Sequence, residues 1–398
     1  MRRAFRIIAI LVINAVISLI LLEIGLRLIG PRLPPVLAAQ AQRVMTGQAY
    51  PQTWTPAWQQ NPDHYWILKP GIDNALQYGS PTVSFHLSTV ELWANGGVGF
   101  RTRAPIDYFV DAVVVGDSFG MCFTEQVDCW VDRLASHFTP PLGIVNLSQP
   151  VTGTTSHGRI LKTFGEPLKP PLIIWQFFGN DFNDDYGLAV FSKKIEALPE
   201  AAPPEIPRQP IIAWLEDHSV TFAVMEVVLT GQSGAMSAYD RLFIKPYRVA
   251  VGDQVLKFGA GYEQQAMDMT RNENQIGLRA SRSAFVDAKA LADTWGAKIV
   301  VVVIPTREEV YAPLTEPIMG AEALKKLTSA HRAMLDLCTE LSLTCYDPLP
   351  VFQVHAAQGE LIYFADDMHL NPQGNALLAD DFSSWMKEQG LAAHIGQP

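Results

Sequence analysis

The sequence has no block of basic residues, no cysteine-rich or low-complexity stretch and no internal repeat. Its 30 Lys and Arg residues are outnumbered by 40 Asp and Glu residues, which gives a formal net charge of −10 and disfavours a nucleic-acid-binding protein. Only 18% of the 398 residues are charged, whereas 48% are hydrophobic, so wholesale disorder is excluded. The length fits one large domain or two smaller ones.

Long hydrophobic runs are equally scarce, with one exception at the N-terminus. Residues 7–30 form an apolar run interrupted by few polar groups, and about twenty such residues cross a bilayer as a helix. Glu23 and Arg27 are spaced to pair on one helix face. Three arginines within the first six residues favour a cytoplasmic N-terminus. The sequence therefore predicts an uncleaved membrane anchor with the remainder extracytoplasmic, either periplasmic or extracellular. The alternative is a signal peptide cleaved near Ala39-Gln40-Ala41.

Only four cysteines are present, in two local pairs whose partners are seven positions apart. Four cysteines allow three connectivities, and the sequence alone does not choose among them. An even number beyond an export signal favours an oxidising compartment, and we expect the local pairs Cys122–Cys129 and Cys338–Cys345 to form disulfides. The alternative is four buried free thiols.

Beyond the anchor, short apolar runs alternate with longer segments of helical periodicity. The runs cover residues 112–115, 143–146, 172–178, 298–304 and 343–346, and the helical segments cover 274–295, 321–341 and 373–388. Runs that are apolar on both faces and separated by helices are typical of a parallel sheet covered on both sides. We therefore predict a doubly wound α/β fold with a five-stranded parallel sheet in residues 63–398. Residues 31–62 are interpreted as a spacer, and residues 195–270 as a helical insertion between strands 3 and 4.

Polar side chains with complementary chemistry follow several of these predicted strands. Ser118 follows the first strand in a Gly-Asp-Ser-Phe turn, Gly153 comes after the second, and Asn180 follows the third. Asp366 and His369 lie just before the last helix. Since ligands of such folds bind at the carboxyl ends of the strands, these groups are expected to meet at one edge. They would supply a nucleophile, oxyanion donors, and a base with its orienting carboxylate.

The sequence resembles the SGNH (GDSL-type) hydrolase superfamily in these turns. The matching segments are GDSF at residues 116–119, Gly153, GND at 179–181 and DDMH at 366–369. Further similarity to a membrane-anchored bacterial subgroup lies in NGGVGFR at residues 95–101, PTREEVY at 305–311 and HLNPQGN at 369–375. The resemblance implies an SGNH-hydrolase-like, flavodoxin-like fold with Ser118 as the nucleophile, His369 as the base and Asp366 as its orienting acid. It implies that the backbone of Ser118, together with Gly153 and Asn180, forms the oxyanion hole.

Two site assignments remain open at the level of sequence. Adjacent aspartates precede His369, so Asp367 is the alternative to Asp366 as the orienting carboxylate. The second block departs from the usual N-x-x-x-P-G pattern, so the backbone N–H of Val151 is the alternative to that of Gly153. The acidic residues after Asn180 are interpreted as a solvated loop, because no His or Glu cluster accompanies them that would complete a metal site.

The predicted function is a membrane-anchored serine esterase that removes acyl, in particular acetyl, groups from a cell-envelope glycan or lipid. No metal or organic cofactor is expected, nor a nucleic-acid partner. One alternative is an O-acyltransferase that uses the same triad to acylate a surface polysaccharide. The other is an inactive envelope scaffold, which the complete set of Ser118, Asn180 and His369 disfavours.

Overall fold

The protein is described by a computed structural model that covers the following residues: 2–33, 37, 38, 41, 44, 45, 57–77, 83–92, 97–103, 110–199, 210–230, 247–251, 254–259, 261–365 and 367–391. The chain divides into two compact units. The first comprises Met1–Pro56, Gln77–Gly79 and Pro204–Leu242. The second comprises Ala57–Leu76, Ser80–Pro203 and Phe243–Pro398.

Thirteen strands occur in the described part of the chain. In chain order they are β1 (Trp58–Asn61), β2 (Tyr65–Leu68), β3 (Asp73–Gln77), β4 (Ser84–Ser88), β5 (Val90–Glu91), β6 (Gly99–Phe100), β7 (Ala112–Val115), β8 (Ile144–Asn146), β9 (Leu172–Phe177), β10 (Tyr247–Val251), β11 (Gln254–Phe258), β12 (Lys298–Val303) and β13 (Thr344–Tyr346).

Fifteen α-helices accompany them within the same described ranges. They are α1 (Arg2–Ile29), α2 (Ser118–Met121), α3 (Trp130–Ser136), α4 (Thr154–Ile160), α5 (Asp181–Phe191), α6 (Pro210–His218), α7 (Val220–Thr230), α8 (Gly261–Ala266), α9 (Asn272–Asp293), α10 (Arg307–Val310), α11 (Ala312–Met319), α12 (Ala321–Leu327), α13 (Ser329–Leu341), α14 (Leu349–Ala357) and α15 (Pro372–Glu388).

The second unit is built on a five-stranded parallel sheet in the order β13-β12-β9-β7-β8. Numbered along the chain, this is the 2-1-3-4-5 order of flavodoxin-like doubly wound folds. Every residue of β7 and β9 is buried, as expected for central strands with helices on both faces. The five predicted strands and the predicted fold class are therefore confirmed, with strand ends displaced by no more than one residue.

Smaller antiparallel sheets are attached to this core. Strands β1, β2, β6 and β5 form a four-stranded sheet in that order, and β3 pairs with β4. Within residues 195–270, β10 and β11 form a hairpin in the second unit, where the sequence predicts only helices. The hairpin alternates buried and exposed side chains at several positions, because only one face packs on the core.

Two helical segments are interrupted in the structure. The predicted helix 321–341 is divided at Thr328 into α12 and α13, and the helical part of the insertion is divided at Ser219 into α6 and α7. In the second case Ser219 accepts the backbone N–H of Phe222 with its hydroxyl, which is an N-cap that starts a new helix. The periodicity of apolar residues continues through both breaks, so the pattern alone does not reveal them.

In the first unit, α1 contains an apolar segment, Ala9–Ile29, that is long enough to cross a membrane by length and composition. A small cluster of buried side chains lies near its end. It contains Ala41, Val44, Val220, Ala223 and Val224, against which Leu26, Leu33 and Leu37 pack. The spacer and the first half of the insertion thus share a core with the end of the apolar helix.

Both predicted cysteine pairs lie at bonding distance. The S–S distance is 2.08 Å for Cys122–Cys129 and 2.06 Å for Cys338–Cys345. The first bond joins the end of α2 to the start of α3, and the second joins α13 to β13. Each therefore fastens a helix beside the parallel sheet.

Helices α5 and α9 cross so closely that a side chain at Gly277 cannot be accommodated. A Cβ atom there would lie 1.7 Å from the carbonyl oxygen of Phe182. We expect Gly277→Ala to destabilise the protein by about 3 kcal/mol, since overpacking against backbone forces the helices apart. The thermal unfolding midpoint measures this.

Gly158→Ala is the matched control, because Gly158 also lies in a helix but its Cβ would make only ordinary contacts, the nearest with the ring of Trp175 at 3.7 Å. This substitution should be neutral or stabilise by about 0.5–1 kcal/mol through its higher helix propensity. Equal midpoints for the two variants would contradict the close packing of α5 on α9.

Candidate active site

The turn after β7 holds Ser118 at the carboxyl edge of the sheet. Asp117 accepts the backbone N–H of Phe119 at 2.8 Å and thereby caps α2, whose first residue is Ser118. From the neighbouring strand β9, Gln176 Oε1 accepts the backbone N–H groups of Asp117 and Gly120, both at 2.9 Å. The turn is thus fixed by one side chain of its own and by one from the adjacent strand.

A chain of hydrogen bonds joins Ser118, His369 and Asp367. His369 Nε2 lies 2.7 Å from Ser118 Oγ, and Nδ1 lies 2.5 Å from Asp367 Oδ1. The same carboxylate oxygen accepts the backbone N–H of His369 at 2.9 Å. Asp366, which the sequence favours as the orienting acid, lies outside the described residues, and it is the alternative Asp367 that contacts the imidazole.

Asp367 is held in its charged form. Burial alone would raise the pKa of its carboxyl group, but the charge of His369, the two hydrogen bonds from His369 and the charge of Arg307 lower this pKa below its ordinary value. A carboxylate that stays ionised can stabilise the imidazolium that forms when a serine proton is transferred.

The loop that carries His369 is fixed at both ends. The backbone of Phe364 donates to the carbonyl of His369 at 3.0 Å, and Tyr363 forms a bridge with Leu370. The backbone N–H of Lys257 in β11 donates to the carbonyl of Ala365 at 2.7 Å. The hairpin of the insertion therefore supports the loop that carries His369, a contact that the sequence did not reveal.

Aromatic rings enclose the imidazole. The ring centroids of Phe119 and Phe123 lie 4.8 and 4.2 Å from that of His369, and Phe178 lies 4.1 Å from Phe119. The cleft beside Ser118 is lined by Phe119, Phe123 and Leu370. Ser118 is 6% exposed and His369 2% exposed, so the reacting groups are largely shielded from water.

The second and third predicted blocks meet each other at the same edge of the sheet. A Cβ at Gly153 would lie 2.4 Å from the carbonyl oxygen of Asp181, so only glycine permits this approach. Val151, two residues earlier, has a positive φ of 55°, which gives the loop its sharp turn. Asn180 Nδ2 donates to Asp184 Oδ2 at 2.9 Å and to the Tyr262 hydroxyl at 3.4 Å.

His157 in α4 supports the loop before Gly153, although the sequence shows no partner for this histidine. Its Nε2 lies 3.1 Å from Thr152 Oγ1, which itself donates to the carbonyl of Gln149 at 2.6 Å. Full burial lowers the pKa of His157 to about 3, so the imidazole is neutral. It acts as a fixed hydrogen-bonding group between α4 and the turn before it.

The aspartates after Asn180 do not form a solvated loop, and that interpretation of the sequence is wrong. Asp181, Asp184 and Asp185 lie at the start of α5 and are buried. Burial, the largest cause, together with neighbouring carboxylates raises the pKa of Asp181 and Asp184 well above the ordinary value. Burial also raises the pKa of Asp117 to about 6 and that of Asp185 to about 7. The raised pKa values favour the neutral form of these carboxyls, which lowers the cost of burying them side by side.

A buried ion-pair network lies on the other side of the triad. Arg307 Nη2 is 3.0 Å from Glu263 Oε1, and Arg307 Nε is 3.4 Å from Glu308 Oε1. Glu308 also accepts the backbone N–H of Gly259 at 2.7 Å, which ties α10 to the end of β11. The N-cap of α10 is Thr306, whose hydroxyl accepts the N–H of Glu309.

The C-terminal third of the chain is similar to a known protein family. Residues 262–397 match the family model described as "SGNH hydrolase-like domain, acetyltransferase AlgX". No curated protein matches the chain. The match includes the loop of His369 and confirms the resemblance to SGNH hydrolases.

Solved structures with similar folds include esterases and a lipase. An acetyl xylan esterase, AlAXEase, has 8% identity and a TM-score of 0.36, and the alignment covers 69% of this chain and 98% of that one. A lipase/acylhydrolase from Enterococcus faecalis has 12% identity and a TM-score of 0.37, with 70% and 97% covered. A catalytic mutant of the acetylxylan esterase Axe2 from Geobacillus stearothermophilus has 12% identity and a TM-score of 0.34, with 70% and 93% covered.

The sheet order, the site and the family match define an SGNH hydrolase-like α/β protein with the groups of a serine ester hydrolase. Within the part of the chain that the structure describes, no group of three or more His, Cys, Asp or Glu residues could hold a metal ion.

The buried acidic cluster should make stability depend on pH. The folded-state pKa of Asp185 is raised to about 7, whereas the pKa of an unfolded aspartate is about 3.9, so the folded state binds the proton more tightly. This contribution is present below about pH 4 and is lost as the pH rises to about 7. Over that interval, titration of Asp185 should lower the free energy of unfolding of the wild type by up to about 4 kcal/mol. We expect Asp185→Asn to lack this decrease, because its amide does not titrate.

The measurement is the unfolding midpoint of the wild type and the variant across this pH range. In Asp185→Asn the amide oxygen can still accept the N–H of Thr155, and the amide NH2 can donate to the hydroxyl of Ser281, which then acts as the acceptor, so both contacts can persist without titration. Asp336→Asn, on an exposed position of α13, controls for the loss of one surface carboxyl. Parallel pH profiles for wild type and Asp185→Asn would show that Asp185 does not hold a proton in the folded state.

Proposed function

We propose that the protein cleaves acyl esters through a covalent acyl intermediate on Ser118. The observation that carries this proposal is the continuous hydrogen-bond chain from Ser118 Oγ through His369 to Asp367. A serine hydroxyl becomes nucleophilic when a base accepts its proton, and the base must be oriented by a third group. Ser118, His369 and Asp367 would supply the nucleophile, the base and the orienting group, and their side chains are already in contact.

In the first half-reaction, Ser118 Oγ attacks the ester carbonyl while its proton moves to His369 Nε2. The resulting imidazolium is stabilised by the Asp367 carboxylate and then donates the proton to the leaving alcohol as the ester bond breaks. In the second half-reaction, a water molecule loses a proton to His369 and attacks the acyl carbonyl. The acid leaves, and the proton returns to Ser118 Oγ.

The negative charge that develops on the carbonyl oxygen needs fixed donors. We assign the backbone N–H of Ser118, the backbone N–H of Gly153 and the side-chain amide of Asn180 to this role. In support, Asn180 Nδ2 already donates to an oxygen atom, the Tyr262 hydroxyl, at 3.4 Å. Substrate binding would replace this weak contact. Each such donor lowers the barrier by about 3–4 kcal/mol.

The narrow cleft supports a small acyl group, in particular acetyl. The rings of Phe119 and Phe123 stand against His369 and line the narrow cleft beside Ser118, which disfavours a bulky acyl group. The rest of the substrate would then lie outside the cleft, as expected for an ester on a cell-envelope glycan or lipid. No cofactor takes part in this chemistry.

We further propose that α1 crosses the membrane and that the second unit is extracytoplasmic. The apolar segment Ala9–Ile29 has 21 residues, enough for about 31 Å of helix, which matches the hydrocarbon core of a bilayer. Two disulfides support an oxidising compartment. We favour an uncleaved anchor, because Glu23 and Arg27 make specific contacts within the first unit.

A second candidate is an O-acetyltransferase, which is favoured by the match of residues 262–397 to an acetyltransferase family model. The first half-reaction is the same, but a sugar hydroxyl replaces water in the second. The low exposure of Ser118 and His369 would also suit a site that restricts water.

Purified full-length protein in detergent should hydrolyse p-nitrophenyl acetate and should be labelled by a fluorophosphonate. Both properties should be lost in Ser118→Ala, with activity reduced by about 10³-fold or more because the nucleophile is absent. Release of p-nitrophenol and in-gel fluorescence measure these results. Labelling that persists in Ser118→Ala would contradict the assigned nucleophile.

The same assay separates the two candidates. Hydrolysis at an unchanged rate in the presence of an envelope polysaccharide supports the esterase. Turnover that requires the polysaccharide, with acetylated sugar detected by mass spectrometry, supports the transferase.

The orienting carboxylate can be identified by a matched pair of substitutions. Asp367→Asn should lower kcat by about 10³–10⁴-fold, since the amide cannot stabilise the imidazolium and favours the wrong tautomer. Asp366→Asn, at the adjacent position, should retain nearly full kcat. The reverse result would assign the role to Asp366. Thermal midpoints of both variants check that the fold is preserved.

A further inference from the structure

The helical hairpin of the first unit exposes a group of large apolar side chains. This group, the hairpin face, comprises Ile211, Ile212, Trp214, Met225, Val228 and Leu229. Ile211 is 75% exposed and Leu229 76% exposed, comparable to the residues of α1. Helix α7 carries a single ionisable residue, Glu226, between Val220 and Thr230. Exposed apolar side chains grouped on two adjacent helices are typical of an interaction site.

The hairpin is attached to α1 by charged groups within the apolar segment. The Glu23 carboxylate accepts the backbone N–H groups of Val220 and Thr221, at 2.9 and 2.8 Å, and the hydroxyl of Ser219 at 2.9 Å. A carboxylate at the first turn of a helix satisfies its free N–H groups and favours its dipole. Glu23 is therefore an N-terminal cap of α7 that is supplied by another helix.

Arg27 completes the attachment at the end of the other helix. It forms an ion pair with Glu23 at 2.8 Å and donates to the carbonyl of His218, the last residue of α6, at 2.7 Å. Charged residues in an apolar span are costly unless they are paired. Here the turn between α6 and α7 provides their partners, which explains two charges that the sequence shows as interruptions of the apolar run.

These contacts fix the depth of the hairpin along α1. Glu23 lies six residues and Arg27 two residues before Ile29, the end of the apolar segment, which corresponds to about 9 and 3 Å of helix. The turn of the hairpin thus lies at the level of the last third of the span. Whatever solvent surrounds α1 at that level also reaches the hairpin.

We propose that the hairpin face contacts lipid at the outer interface of the bilayer that α1 crosses. The anchor is then a unit of three helices, of which one spans the membrane and two lie in its interface. At 11 residues, about 17 Å, α7 is too short to cross the bilayer itself. Trp214 on this face has the ring type that favours the interfacial region. This inference rests on the proposed membrane span.

The test uses full-length protein in vesicles of phosphatidylcholine and phosphatidylglycerol. The native cysteines are paired, so a single introduced thiol can be labelled with an environment-sensitive fluorophore. The probe is placed at Leu229→Cys, with Ile211→Cys as a second hairpin position. Leu21→Cys reports on α1, and Val354→Cys, at an exposed valine of the second unit, serves as the control.

We expect a lipid-borne nitroxide quencher to reduce the fluorescence at positions 21, 211 and 229 severalfold more than at 354, and aqueous iodide to show the opposite order. Iodide quenching at 211 and 229 with lipid quenching at 21 would overturn the inference and leave the span intact. Protection at 211 and 229 from both quenchers would indicate a second copy or a protein partner and would also overturn it. Absence of lipid quenching at 21 would overturn the proposed span and the inference together.

Discussion

The proposed chemistry of the second unit depends on the contact between Ser118 and His369, two residues that are 251 positions apart in the sequence. The strand order makes this possible. The serine follows a central strand, and the histidine loop returns after the last strand and helix to the same edge of the sheet. Parallel pairing fixes that edge, because all five carboxyl ends must face one way. Any sequence that preserves the sheet preserves the approximate meeting point of nucleophile and base.

Buried polar groups around Ser118 and His369 bring the two side chains from approximate proximity to hydrogen-bonding distance. Gln176 holds the serine turn, His157 holds the glycine loop, and the Arg307–Glu308 pair connects the insertion to the side of the triad that carries Asp367. Buried polar groups are costly unless they are paired, so each one selects a single arrangement of its neighbours. The parallel sheet sets the approximate position of the site, and these hydrogen-bond networks set the distances between its side chains.

The fold could be predicted largely from sequence because β7, β9 and β12 are apolar on both faces, a pattern that few structures other than covered parallel strands produce. Ser118 and Asn180 could be located because they come just after β7 and β9, whereas Gly153 and His369 lie farther from any strand and were located by the resemblance of their turns to SGNH hydrolases. The supporting residues could not. Gln176 is a lone polar residue in an apolar strand, and His157 lies in a helix with no paired residue at helical spacing. Their partners are distant in sequence or lie in an irregular turn, so no local pattern records them.

The protonation of the buried aspartates could not be predicted from the sequence either. Asp181, Asp184 and Asp185 have the composition of a solvated loop, yet the crossing of α5 and α9 buries them. Only tertiary packing determines whether such carboxyls are ionised. The choice between Asp366 and Asp367 has the same character, since one residue of difference in a loop decides which carboxylate faces the imidazole.

The disulfide between Cys122 and Cys129 makes the surroundings of the imidazole sensitive to redox conditions. Cys122 follows the last residue of α2 and precedes Phe123, whose ring packs on the imidazole of His369. Such a bond persists in an oxidising environment and is opened in a reducing one. The position of the aromatic ring beside His369 therefore depends on a covalent link outside the hydrogen-bond network, and the thiol–disulfide balance around the protein controls that link.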